Sequence, residues 1–132
     1  MSVSNGVIRQ RETVETVSAA RVLTSADSGL TLILNAAAGV EIELPAIESG
    51  LNFKIIVGAV FATTDWTIAS ADDDISGGSI VNSVFVPASL ENTVTFVASA
   101  ESVGDYVDIT CDGTAYFVNG VGALAGSITF TA

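Results

Sequence analysis

Histidine is absent from the 132 residues, and cysteine occurs once. Without histidine, neither a Ser-His-Asp nor a Cys-His centre can be assembled, and most zinc sites lose a principal ligand. A single thiol forms no internal disulfide and no multi-cysteine metal site. Cys111 ends an alternating run and has no lysine or arginine near it in sequence to lower its pKa, so it reads as a small buried hydrophobe. Basic residues are scarce as well: four Lys and Arg face fifteen Asp and Glu, a net charge of −11. Such a surface repels phosphate, which argues against nucleic acid as a partner of the body. Long apolar runs are also missing. The longest, "IIVGAVFA" at 55–62, is far short of the roughly 20 residues of a membrane helix, so no membrane partner is expected. The opening "MSVSNGVIRQR" has neither an apolar stretch nor a small-residue cleavage pattern, which argues against a secretory signal.

What is abundant is β-branched. Valine, isoleucine and threonine make up 41 of the 132 residues, and these types favour strands. Turn residues recur along the chain at Asp27-Ser28-Gly29, Gly39, Ser49-Gly50, Gly77-Gly78, Gly104-Asp105, Asp112-Gly113 and Gly120. Their spacing is that of a sandwich or barrel. In "GVEIELP" Val40, Ile42 and Leu44 share one face, Glu41 and Glu43 the other, and Pro45 ends the run. "LTLILN" (30–35) precedes it, so 30–44 reads as a hairpin. "NFKIIVGAVF" (52–61) is too apolar to alternate and reads as a central strand covered on both faces. "WTIAS" (66–70), "SIVNSVFV" (79–86), "NTVTFVAS" (92–99), "DYVDITC" (105–111), "TAYFVNG" (114–120) and "GSITFT" (126–131) are further strands. In "DYVDITC", Val107, Ile109 and Cys111 point inward while Tyr106, Asp108 and Thr110 point out. Asp112-Gly113 then supplies a positive-φ hairpin turn. The expected fold is all-β: an antiparallel sandwich or flattened barrel of about eight or nine strands.

Residues 1–21 stand apart. They hold Arg9, Arg11 and Arg21 against Glu12 and Glu15, whereas from residue 22 onward thirteen acids face one base, Lys54. The Val/Thr content of this segment favours an extended arm over a helix. The division is an N-terminal arm, 1–21, and a single β-rich domain, 22–132. Candidate chemistry is thin. Most acids sit on outward strand positions or in turns, where a solvated face puts them, so no enzyme activity and no cofactor are expected. In "DDDISGG" (72–78) Asp72, Asp74, Ser76 and Gly77 match positions one, three, five and six of a calcium loop. Position twelve is Ser83 rather than glutamate and the flanks are strands, so a solvated loop is the better reading and no metal site is assigned. Trp66, Tyr106 and Tyr116 read as packing residues rather than a sugar-stacking platform.

The series "LTSADSGLTLILNAAAGVEIELP", "SGLNFKIIV", "GDYVDITCDGTAYFVNG" and "GSITF" resembles a family of small β-rich structural proteins of tailed bacteriophages. The likeness spans about residues 22–131 and is strongest in the late hairpin, with Tyr116 where the family often has tryptophan. The resemblance implies a head decoration (cement) protein on the capsid exterior, assembled in the host cytoplasm. It implies the major capsid protein as partner and a homotrimer as the usual form. Arg9, Arg11 and Arg21 would bind the capsid, and apolar strand edges would join the subunits. The rival is a tail-fibre or receptor-binding module that recognises a cell-surface glycan through Trp66 and the 71–78 loop.

Overall fold

The structure is a computed structural model that describes residues 11–132. Twelve strands form two sheets that enclose one core, the all-β sandwich that the alternation implies. They are β1 (Thr13–Val17), β2 (Arg21–Val22), β3 (Leu30–Leu34), β4 (Glu41–Glu43), β5 (Asn52–Val57), β6 (Trp66–Ala69), β7 (Ile75–Val81), β8 (Val84–Glu91), β9 (Thr93–Phe96), β10 (Tyr106–Cys111), β11 (Tyr116–Gly122) and β12 (Ile128–Thr131). The larger sheet runs β1-β3-β5-β10-β11-β7-β8, and the smaller runs β12-β9-β6-β4-β2. Of the 1–21 arm read from the sequence, Thr13–Val17 form β1 and Arg21 opens β2, which ends at Val22. Residues 1–10 of the arm lie outside the described residues.

Pairing is mixed rather than antiparallel throughout. The first six strands alternate between the sheets, so β1, β3 and β5 are parallel neighbours in one, and β2, β4 and β6 are parallel neighbours in the other. The chain thus winds three times around the core, and the later strands then pair antiparallel except for β7 with β11, which are parallel. The expected 30–44 hairpin is one of these windings: β3 and β4 face each other across the core. The reason lies in the alternation. Leu30, Leu32 and Leu34 on β3, and Ile42 and Leu44 at β4, are all buried, and both sets reach one core only if the link 35–40 arches between sheets. Gly39 lets that arch nest on the next winding. Its N–H donates to the Thr64 carbonyl at 3.1 Å, and a Cβ there would run into the Asp65 backbone.

Parallel register stacks like upon like. Val17, Leu34 and Val57 form one column, Leu32 and Ile55 a second, and Ile42 and Ile68 a third in the smaller sheet. These residues are all buried. β5 alternates after all: Phe53, Ile55 and Val57 are buried, while Lys54 and Ile56 lie half-buried on the outer face. The stretch 79–86, read as one strand, is divided by a two-residue turn, with Asn82 (φ 49°) and Ser83 (φ 65°) both left-handed. That is the turn type that suits a hairpin's twist, and asparagine tolerates it well.

The late hairpin's strands form as read, with Val107, Ile109 and Cys111 buried and Cys111 paired to Tyr116, but its turn differs. Gly113 supplies the positive φ, at +95°. Asp112 does not; its carboxylate instead accepts the Thr114 and Ala115 N–H groups at 2.8 and 2.9 Å. The link is therefore four residues long, held by an acidic side chain at its first position. Tyr116 is fully buried and donates its hydroxyl to the Pro45 carbonyl at 2.6 Å. Burial, and then the charges of Cys111 and Asp74, push its pKa up to about 12. At the opposite end, buried Asp105 accepts N–H groups from Ser102 and Ala123 at 2.9 and 3.0 Å, tying two loops together.

Truncation within a column tests this packing. Ile55→Ala removes a fully buried side chain and is expected to lower the unfolding free energy by about 2–5 kcal/mol. Val14→Ala, on the exposed edge, is expected to cost under about 0.5 kcal/mol. Urea unfolding of both variants measures the contrast.

Candidate functional site

The two outer faces differ in chemistry. On the smaller sheet Thr129, Thr95, Thr67 and Glu41 form one cross-strand row, and Thr131, Thr93, Ala69, Glu43 and Val22 another. Threonine and carboxylate suit a solvated face. On the larger sheet the register places Phe85, Ile80, Val121, Tyr106, Ile56 and Ile33 in one row across six strands. At the β8 end this row is open to solvent: Phe85 is 57% exposed, Ile80 44% and Val121 43%. Phe117, on the same face of β11 with Asn119 between it and Val121, is 47% exposed, and Val84 and Leu90, of opposite parity to Phe85 on edge strand β8, exceed 60%. Exposed apolar side chains gathered in one place mark a contact surface rather than a solvated one. The sequence held the signal in the apolar content of 80–90, but only the sheet order brings β11 beside β7 and β8.

The other half of the same face is polar and concave. A depression of about 460 Å³ lies over β3, β5, β10 and β11. Lys54, Asp108 and Asn119 cross its floor as direct neighbours on three strands, with Asn52 and Thr110 in the adjoining row. Thr31 donates to Glu12 at the rim, at 3.0 Å. Lys54 and Asp108 stand opposite each other, yet the Lys54 Nζ lies over the Tyr106 ring, 5.1 Å from its centre. Within 6 Å that is a cation–π contact. Among the described residues, the only side-chain ion pairs are those of Arg21, so Asp108 keeps its acceptor oxygens.

The sequence-selected residues fall in different places. Arg11 is exposed beside Glu12 at the start of β1, and Arg9 lies outside the described residues. Arg21 does not join them as a surface cation. Its guanidinium donates to Glu15 at 2.8 and 3.2 Å and to Asp27 at 3.2 and 3.3 Å, closing the end of the stack. Trp66 is fully buried, so it cannot stack on a sugar. Asp72 and Asp73 are exposed while Asp74 is buried, and no group of three metal-ligating side chains forms among the described residues. Cys111 is buried, as its alternation implied.

No family model matches the chain, and comparison with curated proteins and with solved structures found no significant match.

The Arg21 cluster sets a pH dependence. Hydrogen bonding from Arg21 holds the Glu15 carboxyl below its usual 4.5. The Thr24 N–H, and then Arg21, hold Asp27 below 3.8. The Ala115 and Thr114 N–H groups lower Asp112 likewise. Folding therefore favours all three ionised forms. Their stabilisation is complete above the unfolded carboxylate range and is lost as pH falls through the lowered values. The expected outcome is a melting temperature that drops between about pH 5 and about pH 2. In Arg21→Ala part of that drop disappears, because two of the three carboxyls lose their partner. Scanning calorimetry across this range provides the measurement.

Proposed function

We propose that the protein is a virion structural protein of a tailed bacteriophage, a decoration protein that binds the outer capsid surface and stabilises the head. The observation that carries this reading is the division of the surface: an acidic molecule of net charge −11 with an exposed apolar patch, Phe85, Ile80 and Val121, across β8, β7 and β11. A part added to the outside of a shell needs sticky surface towards its neighbours and repulsive surface towards solvent. Charge of one sign on the free faces keeps decorated particles apart. The resemblance of residues 22–131 to small phage structural proteins supports the same reading.

In this reading the apolar patch joins copies of the chain, a homotrimer being the form the resemblance suggests, and the major capsid protein is the partner. Capsid attachment uses Arg9 and Arg11, since Arg21 is engaged within the chain. Cationic side chains just ahead of β1 complement an acidic shell surface, and edge strand β1 offers unpaired backbone for strand addition. The added contacts between capsomers are further contacts that internal pressure must break.

Sedimentation with undecorated capsids of the source phage tests the proposal. The wild-type chain is expected to pellet in fixed ratio to capsid subunits. Reversing both arginines, Arg9→Glu with Arg11→Glu, is expected to weaken retention by about tenfold or more, since like-charge contacts cost several kcal/mol. Phe85→Asp is expected to lower the solution mass, read by light scattering, to that of one chain. A wild-type protein that stays in the supernatant sinks the capsid reading.

A further inference from the structure

The geometry points to a saccharide-binding groove on the polar half of the larger sheet's outer face, one that takes a neutral sugar chain bearing vicinal hydroxyls. The groove is the 460 Å³ depression over β3, β5, β10 and β11, a volume within the usual range of ligand clefts. Its lining is amide, carboxylate, ammonium and hydroxyl rather than hydrocarbon, which suits a ligand that is itself mostly hydroxyl.

Pairing within the groove leaves its polar groups available. Directly opposed Lys54 and Asp108 would be the expected cross-strand ion pair, but the ammonium group is drawn to the Tyr106 ring. Asp108 then stands beside Asn119, its partner on β11. A carboxylate that only accepts, next to an amide that both donates and accepts, matches two adjacent hydroxyls. Lys54 on the other side adds donors, and Thr110 and Asn52 extend the polar surface along the next row. Adjacent strands lie about 4.8 Å apart and same-face residues about 7 Å apart along a strand, so this array has roughly the footprint of a disaccharide. At its edge Phe117, paired with Thr110 and 47% exposed, presents a flat apolar surface to the C–H face of a sugar ring.

Charge selects among sugars. Lys54 and Asp108 cancel, Glu12 adds a negative rim, and the whole chain carries −11. Sialylated, sulfated and phosphorylated glycans are therefore disfavoured, and neutral ones are not. The smaller sheet's outer face supplies the contrast: its threonine rows carry Glu41 and Glu43. This inference does not rest on the capsid reading: β11 borders both surfaces, but the groove is built on Lys54, Asp108 and Asn119 and the apolar patch on Phe85, Ile80 and Val121.

The test uses the full chain, labelled with nitrogen-15, and follows its amide spectrum during titration with maltotriose, cellotriose, mannotriose and tri-N-acetylchitotriose. At least one probe is expected to produce saturable shifts centred on Asn52, Lys54, Asp108, Thr110, Phe117 and Asn119. Asp108→Ala and Asn119→Ala, each shown by its spectrum to be folded, are expected to weaken that binding about tenfold, the loss that follows from removing a hydrogen bond to a charged or buried group. Glu41→Ala on the opposite sheet is expected to bind as the wild type does. Absence of saturable shifts with every probe overturns the proposal, as do shifts centred elsewhere or unchanged binding by both groove variants. Saturation of the same residues by a synthetic peptide of residues 1–11, with no sugar acting, overturns it in favour of a strap from the chain itself.

Discussion

The stacking of Val17 on Leu34 on Val57 is the contact on which the rest of the sandwich is built. Each of these residues ends a strand of the larger sheet, and after each the chain leaves for the smaller one. Fixing this column fixes the register of three windings together. A slip of one residue in any winding would move its whole buried set to the outside. That constraint then places Lys54 on the outer face between Thr31 and Asp108, and so shapes the groove. It also brings Arg21 to the end of the stack, where Glu15 and Asp27 close around it. Packing inside and chemistry outside are thus two readings of one register.

Much of the fold was legible because alternation reports directly on burial. The inward and outward sets of 105–111 and 40–45 follow from the identities of Val107, Ile109, Ile42 and Glu43, and no tertiary contact alters them. Which strands are neighbours was not legible. An arch and a hairpin place the same alternation on either side of a short link, so residues 30–44 fit both. Nor does a repeat betray the windings. Thr13 pairs with Leu30 but Thr31 pairs with Lys54, so the chain spends a different length on each turn and no fixed period appears. The Asn82-Ser83 turn escaped notice because serine carries no strong left-handed signal and the apolar residues around it read as continuous.

The candidate site was the least legible part, since its residues are assembled from strands far apart in sequence. Arg21 illustrates the difficulty. In sequence it belongs with Arg9 and Arg11 as one of three cations in a short segment. In the fold it is an internal fastening, because the winding turns Asp27 back towards Glu15. Trp66 and Tyr106, both read as packing residues, differ in the fold: the first lies wholly in the core, as read, while the second lies half-buried under the chain's single lysine. The groove was invisible for a simpler reason: Asn52, Asp108 and Asn119 belong to three strands, and only the sheet order makes them neighbours.

The parallel pairing of β1 with β3 has a mechanical consequence. A pull on the chain ahead of Thr13, directed along β1, loads all the backbone bonds of that five-residue ladder at once. An antiparallel hairpin pulled at its open end yields one bond after another. Here the bonds share the load, and Arg21 sits just behind the strand as a second catch on Glu15 and Asp27. The first strand among the described residues is therefore fastened in the geometry that best resists being peeled away.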